Sequence, residues 1–267
     1  MSNTANSKVL EAPFVSAEAI CALTQNDILA VRVAGYCDTA VCAHAMRKLE
    51  GAVGRGYRGE PNFEKFFGGA LFDGGDGASD ALEDYFKGAA GWDAACKEIF
   101  SPYTSPADKL RLDLQEVWPA GSHLARIGGR LAFAGLIRGF REGAEARPHQ
   151  DMTHWDLPQF PELQTLKTQL SCLTYLSCTE FGGDLELWAK AIEDQTEYEN
   201  CKIPGDYGLD RNHIGPPDAT ISPHVGELVI FNARRIHAVC RIDRGLRYSQ
   251  SFFIGYRADD RPLSIFS

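Results

Sequence analysis

The sequence predicts an α+β chain with a mainly β core, a sandwich or barrel braced on one face by N-terminal helices. Two observations carry this. Up to about Gly121 the apolar residues recur mostly at helical spacing; beyond it, short runs of β-branched, aromatic and aliphatic residues follow one another between Gly, Pro and Asp. The 267 residues, 44% hydrophobic and 24% charged, have the composition of a soluble globular protein. One compact domain over 1–267 is expected, with 1–122 giving mainly helical support and substrate loops and 123–267 the β core.

Taken in order, the first ten or so residues are small and polar and predict a frayed terminus. Ile28 to Val33 reads as a short strand, followed by a helix through Met46. Between Gly51 and Gly77 the text GRGYRGEPNFEKFFGGALFDGGDG predicts irregular loops, and loops of that length tend to carry function. Within it, Phe72-Asp73-Gly74-Gly75-Asp76-Gly77 lacks the acidic spacing of an EF-hand, so a glycine-rich turn is expected there and not calcium. Arg55, Arg58 and Lys65, interleaved with aromatics, could bind a substrate carboxylate beneath a loop, but a solvated loop is the expectation.

A helix from Ala78 to Phe100, broken near Gly91, comes next. In SPADKLRLDLQEVW, Ser105 can cap, Pro106 fits a first helical turn and Asp108 favours a helix N-terminus. After Gly121 the runs LAFAGLIRGF, QLSCLTYLSC, GDLELW, GELVIFN, HAVCRI and RYSQSFFIGY read as strands.

The net charge of -9 argues against nucleic acid or anionic membrane as partner, because polyanion-binding surfaces need an excess of Lys and Arg. Small molecules become the expected partners. No apolar run of about 18 residues and no basic-then-apolar leader is visible, so a cytoplasmic protein is expected. Eight scattered cysteines without a C-x-x-C pair read as free, mostly buried thiols.

The chemistry concentrates in RPHQDMTHWDLPQF, which holds two His-x-Asp tripeptides, His149-Gln150-Asp151 and His154-Trp155-Asp156. On a strand, residues i and i+2 share a face, so either pair could aim an imidazole and a carboxylate at one point. His237, opening HAVCRI, is the candidate second imidazole. Two His and one carboxylate occupy one face of an octahedral metal and leave three positions open, the arrangement of non-haem Fe(II) oxygenases. Ten residues on, Arg247 and Ser249 would share one strand face and suit a carboxylate, since Arg offers a planar fork of donors.

The order H-x-D, distal His, then Arg-x-Ser resembles the Fe(II)/2-oxoglutarate-dependent dioxygenases over roughly Leu131 to Tyr256. The helical first half is similar to the subset acting on amino acids and small molecules, freestanding halogenases included. The resemblance implies a double-stranded β-helix, a cupin-like jelly roll, and iron held by His149, Asp151 and His237. It further implies 2-oxoglutarate anchored by Arg247 and Ser249, and O2 converting it to succinate and CO2 while generating an oxidant that attacks an unactivated C–H bond. The family places its motif after a strand and a short connection, which favours the first tripeptide, and Pro148 holds that segment extended. His154 and Trp155 would then lie near the mouth. With them, Trp188, Arg138 and Phe66 are candidate substrate contacts.

Halogenating relatives carry Gly or Ala in place of the carboxylate, so Asp151 points to hydroxylation of a small molecule such as an amino acid or derivative, or to desaturation of a natural-product intermediate. A zinc-dependent hydrolase, or a cupin-like binding protein without turnover, is the alternative from another class.

Overall fold

The computed structural model describes residues 8–50, 55–57, 60–66, 68–71 and 79–267, with backbone alone for 55–57, 60–66 and 79. The first part holds β1 (Val9–Glu11), α1 (Ala17–Thr24), β2 (Ala30–Val33), α2 (Thr39–Leu49), β3 (Arg55–Tyr57), β4 (Glu60–Phe66), α3 (Ser79–Phe100) and α4 (Pro106–Val117). Then come β5 (Ser122–Leu124), β6 (Arg126–Ile127), β7 (Arg130–Leu131), β8 (Leu136–Phe140), β9 (Ala146–His149), α5 (Thr153–Asp156), α6 (Pro161–Gln164) and β10 (Thr168–Ser177). The remainder is β11 (Phe181–Gly182), β12 (Leu185–Leu187), α7 (Gln195–Asn200), α8 (Arg211–Ile214), β13 (Ala219–Ile221), β14 (Leu228–Asn232), β15 (His237–Val239), β16 (Ile242–Arg244), β17 (Arg247–Tyr256) and β18 (Leu263–Phe266).

Two sheets face each other as a double-stranded β-helix. The larger runs β1-β2-β14-β10-β17-β8-β4-β3, with β18 beside the far end of β17 and β5 on β18; the smaller runs β13-β12-β15-β9. The ten-residue strands β10 and β17 form its spine, antiparallel from Thr168 opposite Tyr256 to Ser177 opposite Tyr248. Alternation along β10 divides the core in two. Leu170 and Cys172 meet Ile20 and Leu23 of α1 and Leu110 and Leu114 of α4. Tyr175, with Phe231 and Phe253, joins Leu185, Leu187 and Ile221 of the smaller sheet.

Helix α4 is capped as its sequence requires, Ser105 accepting from the Asp108 amide with Pro106 in the first turn. The break expected near Gly91 is absent, for α3 is continuous. Of its two glycines, Gly88 serves packing, since a Cβ there would lie 2.4 Å from the Trp92 indole, whose ring meets Phe133 edge-on, while Gly91 faces open space.

The first part is less purely helical than expected. Of the stretch expected to fray, residues 1–7 lie outside the described residues, and β1 pairs in parallel with β2, Val9 opposite Ala30. Part of the stretch read as loops forms the antiparallel β3–β4 ribbon, with β4 on β8 from Phe63 opposite Phe140 to Phe66 opposite Ile137. β3 is the edge strand and β4 lies between it and β8, and this pairing, fixed by a partner far along the chain, needs no apolar run in either strand. The turn proposed at Phe72–Gly77 lies outside the described residues, as do the side chains of Arg55, Arg58 and Lys65. All eight cysteines are free, Cys37, Cys42, Cys96 and Cys172 being buried. Among the described residues no helix is long and apolar enough to cross a membrane.

Gly226 shows how tightly the spine is tied to the first part. Its amide donates to the Tyr175 carbonyl (2.8 Å) and its carbonyl accepts from the Cys37 amide (2.9 Å), at a φ of +80°. A Cβ there would lie 2.2 Å from the Cys37 carbonyl oxygen. Gly226→Ala should therefore lower stability by about 1–3 kcal/mol, read as a shift of the urea midpoint; an unchanged midpoint would show that this turn bears no strain.

Candidate metal centre

Strand register brings the candidate ligands together. His149, the last residue of β9, stands directly opposite His237, the first of β15, in an antiparallel pair. Their rings lie 4.3 Å apart between centroids. Asp151 is not on the strand, contrary to the i, i+2 expectation. The strand stops at His149, and Asp151 is aimed by its own amide, which donates to the Ala233 carbonyl (2.9 Å) just past β14. The smaller sheet thus contributes both imidazoles, and the larger sheet fixes the carboxylate.

Asp151 Oδ1 lies 3.7 Å from His149 Nε2, and Oδ2 lies 3.4 Å from His237 Nε2. Neighbouring positions on an octahedron with bonds of about 2.1 Å are about 3 Å apart, so small rotations would close these three atoms on one ion. Among the described residues they are the one group of three His, Cys, Asp or Glu side chains close enough to share a metal. His237 is buried and the other two side chains are about one-fifth exposed, which leaves the centre recessed but reachable.

The protonation pattern also fits a cation. His149 Nδ1 lies 2.7 Å from the Arg147 carbonyl oxygen and His237 Nδ1 lies 3.0 Å from that of Arg235. A carbonyl only accepts, so Nδ1 carries the hydrogen and Nε2 offers its lone pair to the centre. Burial, reinforced by the neighbouring His237, pulls His149 down to about 4. Burial pushes the Asp151 carboxyl up, but its contacts with His237 first, then His149 and Arg138, hold it down at about 2. At neutral pH His149 is therefore neutral and Asp151 ionised.

Two residues unnoticed in the sequence shape the centre. Gln150 is 7% exposed and clamps the ligand segment: its Nε2 donates to the carbonyls of Arg234 (2.6 Å) and Ile192 (3.3 Å), and its Oε1 accepts from the Ile192 amide (2.9 Å). Tyr175 projects from β10 toward Arg247, whose Nη2 donates to the Tyr175 hydroxyl at 3.2 Å. Neither partner could be paired from the sequence, because both contacts span long chain separations.

Arg247 and Ser249 open β17, both 1% exposed, with Ser249 opposite Tyr175 on one side and Arg138 on the other. The Arg247 guanidinium lies over the rings of Tyr175 (4.9 Å) and Phe140 (5.3 Å). Its Nε is buried without a hydrogen-bond partner, and it forms no ion pair with a described carboxylate. A buried guanidinium so placed is a strong site for an anion.

The substrate candidates separate. Arg138 sits beside Ser249, and its charge bears on both His149 and Asp151. His154 is outside the triad: its Nδ1 lies 3.4 Å from Arg234 Nη2, and burial with the charge of Arg234 holds it at about 4. Trp155 packs 5.6 Å from the Tyr198 ring. Trp188, expected at the substrate, is instead a core residue, 1% exposed with its indole N–H on the Gly215 carbonyl (2.9 Å), so no face remains for a ligand. Phe66 lies on β4 opposite Ile137, its side chain outside the described residues.

The comparisons with known proteins bear on the family and the fold. Residues 12–256 match the model of the family described as carrier-protein-independent halogenase WelO5. Leucinostatins biosynthesis cluster protein S of Purpureocillium lilacinum is 32% identical over 163 residues, 58% of this chain and 65% of that protein. The L-gamma-glutamyl-L-propargylglycine hydroxylase of Streptantibioticus cattleyicolor is 28% identical over 133 residues, 49% of this chain and 47% of that protein. The chain thus spans less than two-thirds of either curated relative. An N-substituted L-amino acid dioxygenase from Burkholderia ambifaria, solved with alpha-KG, shares the fold at a TM-score of 0.62 and 12% identity, over 94% of this chain and 91% of that one.

Two outcomes test the site. His149→Ala or His237→Ala should abolish retention of a divalent metal after desalting, while His154→Ala keeps it; the reverse pattern would move the ligand pair to the second tripeptide. Gln150→Leu should weaken metal affinity about 10- to 100-fold with the fold intact by circular dichroism, and unchanged affinity would reduce Gln150 to a packing residue.

With the triad, the fold and the match over 12–256 together, the chain belongs to the carrier-protein-independent halogenase WelO5 family, within the Fe(II)/2-oxoglutarate-dependent dioxygenase superfamily.

Proposed function

We propose that the protein is an Fe(II)- and 2-oxoglutarate-dependent oxygenase that hydroxylates an unactivated C–H bond of a small molecule, an amino acid or a derivative of one. The observation that carries this is Asp151. Its carboxylate stands between the two imidazoles and faces both. Installing chloride on a metal requires a free coordination position, and a third protein ligand uses one. The match to a propargylglycine hydroxylase supports the same outcome, although the family is described by a halogenase.

His149, Asp151 and His237 would hold the iron. Iron(II) held there would supply, with O2, the oxidising chemistry in which 2-oxoglutarate is converted to succinate and CO2. The chain's own residues do the rest. Nδ1 of each imidazole is kept protonated by a backbone carbonyl, so Nε2 remains a donor. Arg247, over the rings of Tyr175 and Phe140 and without a carboxylate partner among the described residues, would take the far carboxylate of 2-oxoglutarate with Ser249 beside it. Arg138, next to Ser249, adds positive charge to that end of the pocket.

Arg247→Ala should raise the 2-oxoglutarate requirement about 30-fold or more, since removing one partner of a buried charge pair costs about 2–5 kcal/mol, with metal content unchanged. An unaltered co-substrate dependence would move the anchor to another cation. Asp151→Gly should retain part of its iron and lose most hydroxylation, followed as succinate yield and product mass with and without chloride. Hydroxylation at the wild-type rate would remove Asp151 from the ligand set. Hydrolysis supported by zinc, with no succinate formed under iron, would replace the oxygenase by a hydrolase.

A further inference from the structure

A second cavity, of about 730 Å³, opens beside β18 and is used by nothing described above. Its two halves differ in chemistry. The floor is apolar, with Ile127, Leu163, Leu166 and Phe266 all 5% exposed or less. The rim gathers Arg111, Arg126, Arg257 and Arg261 against one carboxylate, Glu162. In a chain of net charge -9 this is a local reversal of sign.

The rim cations are poorly neutralised. Arg257 is half-buried and donates from Nε to Thr165 Oγ1 (2.9 Å), from Nη1 to Ser264 Oγ (2.6 Å) and from Nη2 to the Glu162 carbonyl (2.8 Å). Those acceptors are all neutral, so the guanidinium is oriented while, among the described residues, it forms no ion pair, the Glu162 charge acting on it only through space. The Glu162 side chain is itself engaged by the Gly128 amide. Arg261 is exposed, and among the described residues its guanidinium has no hydrogen-bond or ion-pair partner. Arg126 reaches only the Gly129 carbonyl, whereas Arg111 is paired with Asp108.

The cavity is not an arm of the metal pocket. Arg247 and Ser249 begin β17 and Arg257 directly follows its end. Eight steps from Ser249 to Arg257, at about 3.3 Å each, separate the two by roughly 26 Å.

We propose that this cavity binds a small amphipathic carboxylate, its apolar body against Ile127, Leu163, Leu166 and Phe266 and its carboxylate between Arg257 and Arg261. The guanidinium fork suits a carboxylate, and the volume falls within the range of small-ligand pockets. The surrounding negative charge disfavours an extended polyanion.

The test is calorimetric titration of the full-length, Fe(II)-loaded protein, anaerobic and saturated with 2-oxoglutarate, with decanoate and with 1-decanol as its neutral counterpart. One decanoate should bind per chain, and decanol at least about tenfold more weakly. Arg261→Glu, at an exposed and unpaired position, should weaken decanoate by about tenfold or more, leaving decanol binding and turnover of 2-oxoglutarate unchanged. Arg257→Gln should act in the same direction, with its melting temperature recorded because Arg257 also ties Thr165 to Ser264. No decanoate binding, equal binding of acid and alcohol, displacement of decanoate by 2-oxoglutarate, or full affinity in Arg261→Glu would each overturn the proposal.

Discussion

The pairing of His149 with His237 across β9 and β15 is the contact on which the centre depends. Side chains alternate along a strand, so a slip of one residue would turn one imidazole away from the other and leave Asp151 with a single partner. That register is reinforced from outside the strands. The Asp151 amide hangs from Ala233, the Ala233 amide donates to the Gln169 carbonyl, and Gln150 spans to Ile192 and Arg234. The candidate ligands therefore sit at the seam of two sheets, and sheet packing, not the tripeptide alone, sets their geometry.

Around that seam the molecule spends polar groups in a way a purely structural core would not. Most of the large core is conventional, with α1 and α4 covering one face of the spine and the smaller sheet the other. Yet it also buries a guanidinium on two aromatic rings with one nitrogen unpaired. It holds a carboxylate against two imidazoles whose outer nitrogens are already committed to backbone carbonyls. Local arrangements that are costly alone and become favourable with a cation and an anion are the mark of a binding site.

Much of this was legible in the chain, for identifiable reasons. β17 and β10 announce themselves as long runs of strand-forming residues, and Arg247-x-Ser249 inherits its common face from strand periodicity. The residue types of the triad were readable because metal chemistry restricts them. What escaped notice depends on distant partners. β1 and β3 are edge strands and β4 lies next to one, none with a strong pattern; Gln150 acts through contacts some 42 and 84 residues away, and Tyr175 looks like any core aromatic until β17 is laid beside it. Trp188 shows the opposite error: an aromatic near a motif reads as a substrate contact, whereas its indole closes a satisfied core around Gly215.

Family membership and residue chemistry point different ways on one issue, whether the centre delivers oxygen or halogen, and the carboxylate of Asp151 is where they part. Iron K-edge X-ray absorption of the anaerobic Fe(II) protein with 2-oxoglutarate, recorded in bromide buffer, examines that position directly. With Asp151 as the third protein ligand, the spectrum should contain oxygen and nitrogen neighbours and no bromide scatterer, and Asp151→Gly should be the form able to acquire one. A bromide neighbour on the wild-type iron would contradict the account.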